Sequence, residues 1–278
     1  MQSPDKHIPI VDEAKVDCLR GFISGLKSVL VAFSGGADST LLLAMCLDVL
    51  GPNHVMAVTA DSPALPRSEL AEAAALAEEL GAKHVIIATE ELQDERFASN
   101  PRDRCYYCKQ ELFIQLRCLA DQLQCDYVAY GATAADLGDH RPGMRAAKEA
   151  GVVAPLLEAG FTKEDVRSLS RQLGLRTWDK PAMACLSSRL PYGTRITEER
   201  LSQVEQAEEL LRHQLGFRQV RVRHYDSIAR IEIQPQEFER LLEESTRDHV
   251  LSEFKKLGYI YVTLDLGGFR SGSLNERV

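Results

Sequence analysis

Residues 28–40 read Ser-Val-Leu-Val-Ala-Phe-Ser-Gly-Gly-Ala-Asp-Ser-Thr. The run from Val29 to Phe33 is apolar without alternation, which is how a strand buried on both faces of a parallel sheet reads. Gly35 and Gly36 permit a tight turn with inward-facing N–H groups. A helix is expected from about Thr40 to Leu50, and its positive end faces the same turn. Ser34 and Ser39 add hydroxyl donors. A strand, this loop and a helix in succession predict a cradle for a pyrophosphate. The loop lacks Gly-Lys-Ser/Thr and also lacks G-x-G-x-x-G, so it is neither a Walker loop nor a dinucleotide fingerprint. Ser-Gly-Gly alone is a common turn; the specific signal is the six-residue motif 34–39 at a strand–helix junction.

Working outward, residues 11–27 read as a helix, and Gly51-Pro52 stops the one after the loop. The alternation then repeats. Strands are expected at 54–59, 84–88 and 127–130, with helices at 68–80, capped by Ser68, and at 112–123. This order predicts an α/β fold with a doubly wound parallel sheet. Ligands in such sheets bind beyond the carboxyl ends of the strands. The segments at that edge are 34–39, 59–67, 89–109 and 131–143, so Thr59, Gly131, Thr133 and Asp136 join the loop as candidate nucleotide contacts. After about residue 180 the pattern changes to a charged helix at 197–215, strands at 219–223 and 228–233, helix at 235–257 with a break near Ser245, and a strand at 259–264. The expected division is a nucleotide domain over 1–180 and a smaller C-terminal α+β domain over 181–278, ending in a mobile Gly/Ser-rich tail at 267–278.

The 33 basic against 41 acidic residues give a net charge of -8, a poor balance for wrapping nucleic acid. The start, MQSPDKHIPI, has no apolar core of a secretory leader, and no apolar run approaches the roughly 18 residues of a membrane span. Seven cysteines are then expected to be reduced thiols in a cytoplasmic protein. Cys18, Cys46, Cys118 and Cys125 fall in amphipathic segments and read as buried hydrophobes. Cys105 and Cys108, in Cys-Tyr-Tyr-Cys, and Cys185, in Met-Ala-Cys-Leu-Ser-Ser-Arg, fall in Pro/Arg-rich loops. The pair spacing suits one metal centre, with the distant thiol as a third ligand and no His as a fourth; core or redox-active thiols are the alternative. Arg104 and Lys109 flank the pair and would lower its pKa. Arg221 and Arg223 alternate with Val220 and Val222, placing both guanidinium groups on one strand face, either as a phosphate clamp or as a solvated face paired with Glu232. Arg141 faces either a substrate or the acids Asp136 and Asp139; Trp178 and Tyr192 read as packing residues.

The loop resembles that of the PP-loop ATP pyrophosphatase superfamily, whose members split ATP between the α- and β-phosphates and transfer AMP to a carboxyl or carbonyl oxygen. In that resemblance Asp38 helps hold Mg²⁺; otherwise it is an acid favourable to a helix N-terminus. The ordered segments SGGADSTLL, NPRDRCYYCKQELF, YGATAADLGDHRPG, APLLEAGFTKEDVRSLSRQLGL, WDKPAMACLSSRLPYGTRIT and RVRHYDSIARIEI span nearly the whole chain and are similar to the LarE family of ATP-dependent sulfur transferases, which act in nickel-pincer cofactor synthesis for lactate racemase. The resemblance implies ATP, Mg²⁺ and a pyridinium dicarboxylate mononucleotide whose carboxylates are adenylated and converted to thiocarboxylates. It implies either a [4Fe-4S] cluster on Cys105, Cys108 and Cys185, or Cys185 alone as a sacrificial sulfur donor; the Cys-x-x-Cys pair matches the cluster type. It also tips Arg221 and Arg223 toward the substrate phosphate, with Ser188 and Arg189 as further contacts, and implies a homo-oligomer, commonly a hexamer. The sequence departs from the family where Thr133 stands for the usual Asn of Gly-x-Asn-x-x-Asp. The rival readings are a tRNA thiolase, an amide-forming synthetase, which would need an ammonia source, and a non-enzymatic ATP-binding regulator.

Overall fold

The computed structural model describes residues 11–138, 142–181 and 183–270. Arg141, Asp139 and the tail beyond 270 lie outside the described residues. The chain divides into two compact units: Met1–Ser62, Arg67–Glu91 and Asp103–Met183 form one, and Pro63–Pro66, Leu92–Arg102 and Ala184–Val278 the other.

In the first unit, α1 (Glu13–Ser24), β1 (Val29–Ala32), α2 (Ala37–Leu50), β2 (Val55–Asp61), α3 (Arg67–Glu79) and β3 (Lys83–Ala88) follow in turn. The short α4 (Glu95–Ala98) belongs to the second unit. The first unit resumes with α5 (Arg104–Gln122), β4 (Tyr127–Tyr130), α6 (Pro142–Glu149), α7 (Pro155–Glu158) and α8 (Lys163–Gln172). The four strands are all parallel, in the order β3-β2-β1-β4. The apolar run Val29–Ala32 is thus central. Its period of two sends Val29 and Val31 into a core with Leu19, Ile23, Leu42, Leu76 and Leu169. Leu30 points the other way, into a core with Leu112, Phe113, Leu116 and Val128. Each fully buried Leu contributes roughly 1.5–3 kcal/mol, so the two-sided burial of one short strand anchors both layers.

Several boundaries differ from expectation. α2 begins at Ala37, because the loop turns straight into the helix. α3 begins at Arg67, so Ser68 lies inside the helix and does not cap it. The largest change is α5, expected from 112 but starting at Arg104, which moves Cys105 and Cys108 from a loop into the first turns of a helix. The Pro/Arg-rich run before it masked the helical start.

The second unit holds α9 (Glu198–Glu209), extended by one π turn over Leu210–Gln214, then β5 (Val220–Tyr225), β6 (Ile228–Ile233), α10 (Phe238–Leu242), α11 (Glu244–Lys256) and β7 (Tyr261–Leu264). β5 and β6 are antiparallel, and β7 joins β6 in parallel. Asp226, with φ of 50°, makes the left-handed bend of the two-residue hairpin. Val220, Val222, Ile231 and Ile233 bury against Phe217, Phe254 and Tyr259. Arg221 and Arg223 occupy the other face, as alternation predicts, yet that face is buried rather than solvated.

Buried charge on this face needs compensation. Arg223 makes a two-pronged pair with Glu232, and Arg189 another with Glu208. Glu208 also accepts from Arg212 and from the Val222 amide. Burial alone would push the Glu208 carboxyl up; Arg189, Arg212 and the Val222 amide outweigh it and hold the group below the usual carboxylate range. Glu208→Ala strands all of these donors, so unfolding in urea is expected to show a loss of about 3–5 kcal/mol.

Candidate active site

The strand order places the sheet's switch point between β1 and β4, where a doubly wound sheet opens a ligand crevice at its carboxyl edge. Loop 34–39 leaves β1 there, and loop 131–136 leaves β4. In the first loop, the Ser34 and Ser39 hydroxyls lie 3.1 Å apart, Ser39 Oγ donates to Gly36 O, and the Ser34 amide donates to Ser39 Oγ. Gly36 begins α2 with no side-chain cap, so the helix's first amides keep no side-chain acceptor of their own. An anion fits such an end. Gly35, at φ 67°, packs against α3: a Cβ there would stand 3.1 Å from Ala73 Cα. Gly131 packs equally hard on the start of α2, where a Cβ would stand 2.9 Å from the Ser39 amide nitrogen.

The carboxylates come next. Lys163 Nζ lies 2.6 Å from Asp38 Oδ2 and 3.9 Å from Asp136 Oδ2. One ammonium shared by two carboxylates shows that the pair accommodates a cation. Lys163 itself escaped the sequence reading; its signal was the Thr162–Asp165 capping box, which starts α8 with Lys163 as its first residue. Asp136 Oδ2 also accepts from the amide and hydroxyl of Thr133. The departure at 133 thus serves a buried cap over the turn at 134–138. Thr59 donates its hydroxyl to Phe33 O at 2.8 Å and accepts from His84 Nε2 at 2.8 Å. It therefore braces the stem of the loop and places the His84 proton on Nε2. Burial holds the His84 pKa below its ordinary value.

Cys105 is exposed and Cys108 half-buried in the first turns of α5, three residues apart and so on one helical face. Lys109, expected beside the thiols, places its ammonium over the Phe113 ring, and Arg104 is buried. Cys185 belongs to the second unit, where it is exposed at the head of a 3-10 turn over Leu186–Arg189, with Sγ 3.0 Å from Ser187 Oγ. Among the described residues no group of three or more His, Cys, Asp or Glu is gathered as a metal site. Cys46 is buried, and burial pushes its thiol up to about 12, in line with a core role. Cys18 and Cys118 are exposed, so they are surface thiols and not the buried hydrophobes expected; Cys125 is half-buried.

Arginines surround the Cys185 turn. Arg189 Nη1 donates to the carbonyls of Ala184 and Cys185 and to Ser188 Oγ. Arg223 Nη1 donates to Ser188 O. Among the described residues Arg221 makes no such two-pronged carboxylate pair; its guanidinium lies over the Phe269 ring, 4.8 Å from the centroid. Burial first, then the neighbouring Arg189 and Arg223, lower it to about 10. Glu232, opposite Arg221 on β6, and Glu208 offset only part of this crowding of cations.

Two outcomes follow from this geometry. Gly131→Ala drives a methyl into the first turn of α2 and should weaken inorganic pyrophosphate binding at least tenfold in calorimetry. Arg221→Met removes the crowded cation, so the apo protein should melt at a higher temperature than the parent while losing the thermal stabilisation that added phosphate gives the parent.

Residues 13–104 match the family profile described as NAD synthase. An uncharacterised protein of Synechocystis sp. is 46% identical over 95% of this chain and 98% of its own length. The pyridinium-3,5-bisthiocarboxylic acid mononucleotide synthase of Lactiplantibacillus plantarum is 44% identical over 91% of each chain. The NH(3)-dependent NAD(+) synthetase of Hyperthermus butylicus is 38% identical, but over only 25% of this chain and 26% of its own. The likeness to NAD synthetases is thus confined to the loop and its surroundings, whereas the sulfur-enzyme likeness runs through the cysteine and arginine segments as well: the chain belongs to the LarE family of ATP-dependent sulfur transferases.

Proposed function

We propose that this chain adenylates the carboxylates of a pyridinium dicarboxylate mononucleotide with ATP and replaces each adenylate by sulfur. The observation that carries the reading is the Cys185 thiol on a turn held by Arg189 and Arg223, on the face that also bears Arg221, a guanidinium crowded by those two arginines. A thiol and a buried cation in one compact unit suit a substrate that offers both an acyl group and a phosphate. The family membership supplies the pyridinium nucleotide, since the Lactiplantibacillus plantarum relative is named for the bisthiocarboxylic product.

The chemistry proceeds in two displacements. A substrate carboxylate oxygen attacks the α-phosphorus of ATP, the bond to the β-phosphate oxygen breaks, and pyrophosphate leaves into the amides of loop 34–39 and the N-terminus of α2. Asp38 and Asp136, which share the Lys163 ammonium, would hold Mg²⁺, with Lys163 released from Asp38 to balance the charge. Mg²⁺ supplies charge neutralisation on the departing pyrophosphate. A sulfur nucleophile then adds to the acyl carbon and AMP departs. Arg189 and Arg223 are each committed to a glutamate, so Arg221 takes the substrate phosphate directly while the other two, with Ser188, shape its seat.

For the sulfur we favour a [4Fe-4S] cluster held by Cys105, Cys108 and Cys185. Two thiols on one helical face, Cys105 exposed and Cys108 half-buried, would fit two of its irons, and thiolates are the donors such clusters take. A cluster on three cysteines leaves one iron open to carry sulfide. In the alternative, Cys185 attacks the acyl-adenylate itself: AMP leaves, a thioester forms, loss of the Cα proton breaks the Cβ–S bond, and a thiocarboxylate and dehydroalanine remain. The match to NAD synthases ends at residue 104, so it supports ATP use and says nothing for ammonia chemistry. No helix among the described residues is long and apolar enough to cross a membrane. We extend the reading to a cytoplasmic homo-oligomer serving lactate racemase maturation, with the second unit as substrate-binding and oligomerisation domain. Ile260, Tyr261 and Leu266 there expose apolar surface that a second copy would cover.

Incubation with MgATP and the pyridinium dicarboxylate mononucleotide should release AMP and pyrophosphate; release of neither overturns the reading, and tight tRNA binding at physiological salt turns it toward the thiolase. Anaerobically purified protein should contain iron and labile sulfide, lost in Cys105→Ala, Cys108→Ala and Cys185→Ala. Iron-free protein that loses one sulfur from Cys185 per turnover would establish the sacrificial route instead.

A further inference from the structure

Lys180 belongs to no helix or strand, yet its ammonium is saturated. It donates to Glu69 Oε2 and Glu72 Oε2, each at 2.8 Å, and to Gly35 O at 3.2 Å. Both carboxylates lie on α3, the helix against which Gly35 packs. We propose that Lys180 is a positioning residue for ATP cleavage: it fixes the orientation of the Gly35–Gly36 peptide so that its N–H, rather than its carbonyl, faces the pyrophosphate. The inference rests on loop 34–39 being the pyrophosphate site.

In a planar trans peptide the C=O and N–H point in opposite directions. A cation that holds the Gly35 carbonyl therefore turns the Gly36 N–H the other way. That amide makes no strong bond of its own, lying 3.4 Å from Ser34 Oγ. The peptide also needs holding. It is flanked by two glycines, and turning it over rotates ψ of Gly35 and φ of Gly36 together, taking φ of Gly36 from -80° to positive values, which glycine tolerates. A flipped peptide would present a carbonyl oxygen to a polyanion. The Lys180 ammonium makes a charge-assisted bond to one orientation alone and polarises the same peptide, strengthening the N–H as a donor. Glu69 and Glu72 cancel the lysine's charge toward its own side, so the loop receives an oriented dipole.

A plain structural reading exists: Lys180 ties its segment to α3, and the carbonyl contact is incidental. The variants separate the two. Lys180→Met removes everything, Lys180→Arg keeps a cationic donor, and the double change Glu69→Ala with Glu72→Ala removes the tie to α3 but leaves the ammonium beside Gly35. Binding of inorganic pyrophosphate and of AMP, with Mg²⁺ present, is measured by calorimetry on the full chain. Lys180→Met should weaken pyrophosphate about tenfold or more, as loss of a charge-assisted contact implies, with AMP within about twofold. Lys180→Arg should recover most of the loss, and the double alanine variant should bind pyrophosphate nearly as the parent does. Equal losses in the double alanine variant and in Lys180→Met, or an equal fall for AMP, overturn the proposal in favour of packing. Unchanged pyrophosphate binding in Lys180→Met overturns it outright. A parent protein that binds neither pyrophosphate nor ATP overturns the ATP reading of the loop, and this inference with it.

Discussion

The close approach of backbone to backbone at Gly35 and Gly131 is the constraint on which the nucleotide unit depends. Ala73 stands where a side chain at 35 would go, and the Ser39 amide where one at 131 would go. These contacts bring α3, the loop after β1, the start of α2 and the loop after β4 into one small volume at the switch point of the sheet. The cradle follows from that compression. The first amides of α2 face outward with no side-chain cap, Asp38 and Asp136 come within reach of one ammonium, and Thr59 braces the strand end behind the loop. A larger residue at either glycine separates layers that the apolar faces of β1 otherwise hold together.

In the second unit the organising feature is electrostatic. Arg189 and Arg223 are almost fully buried, and each is neutralised by a buried glutamate with two-pronged geometry. Such pairs add little net stability relative to apolar packing, but removing one member leaves a bare buried charge. Their effect here is geometric. Arg189 and Arg223 each also donate to the backbone of residues 184–188, so a turn without apolar anchors of its own at Ala184 and Cys185 is held in place. The exposed thiol of Cys185 inherits that rigidity.

How far this was legible in the sequence depended on whether the determinant was local. The buried strand 29–32, the glycine loop and the βα alternation are short-range signals, and all four strands of the parallel sheet lie within two residues of expectation. Alternation alone put Arg221 and Arg223 on a shared face. What local reading missed came from partners far along the chain. Glu208 lies 19 residues from Arg189, and Lys163 lies 125 residues from Asp38. No periodicity announces such pairs. The start of α5 failed for a different reason: Pro101 and a charged run suppressed the helical signal, although Tyr106 and Leu112 to Leu116 pack as helix residues from the first turns onward. The alternative for the arginines held in its pairing, since Arg223 meets Glu232, and failed only in solvation, because burial of a strand face is decided by what packs on it, here Glu208 of α9 and the 184–190 segment.

The same pairing determines what kind of anion the arginine face accepts. Glu208 and Glu232 are shared by Arg189, Arg212, Arg223 and Arg230, so positive charge exceeds negative charge, yet the excess is concentrated. Among the described residues Arg221 makes no ion pair of its own, though Glu232 stands opposite it on β6, and it sits against an aromatic ring. A nucleic-acid surface spreads unpaired basic residues along a track so that many phosphates are neutralised at once. One stacked guanidinium, lowered to about 10 by burial and by its neighbours Arg189 and Arg223, is a concentrated charge and not such a track. In a chain with a net charge of -8, that confinement is what allows strong local attraction without general affinity for polyanions, and it favours a small phosphorylated acceptor over a tRNA.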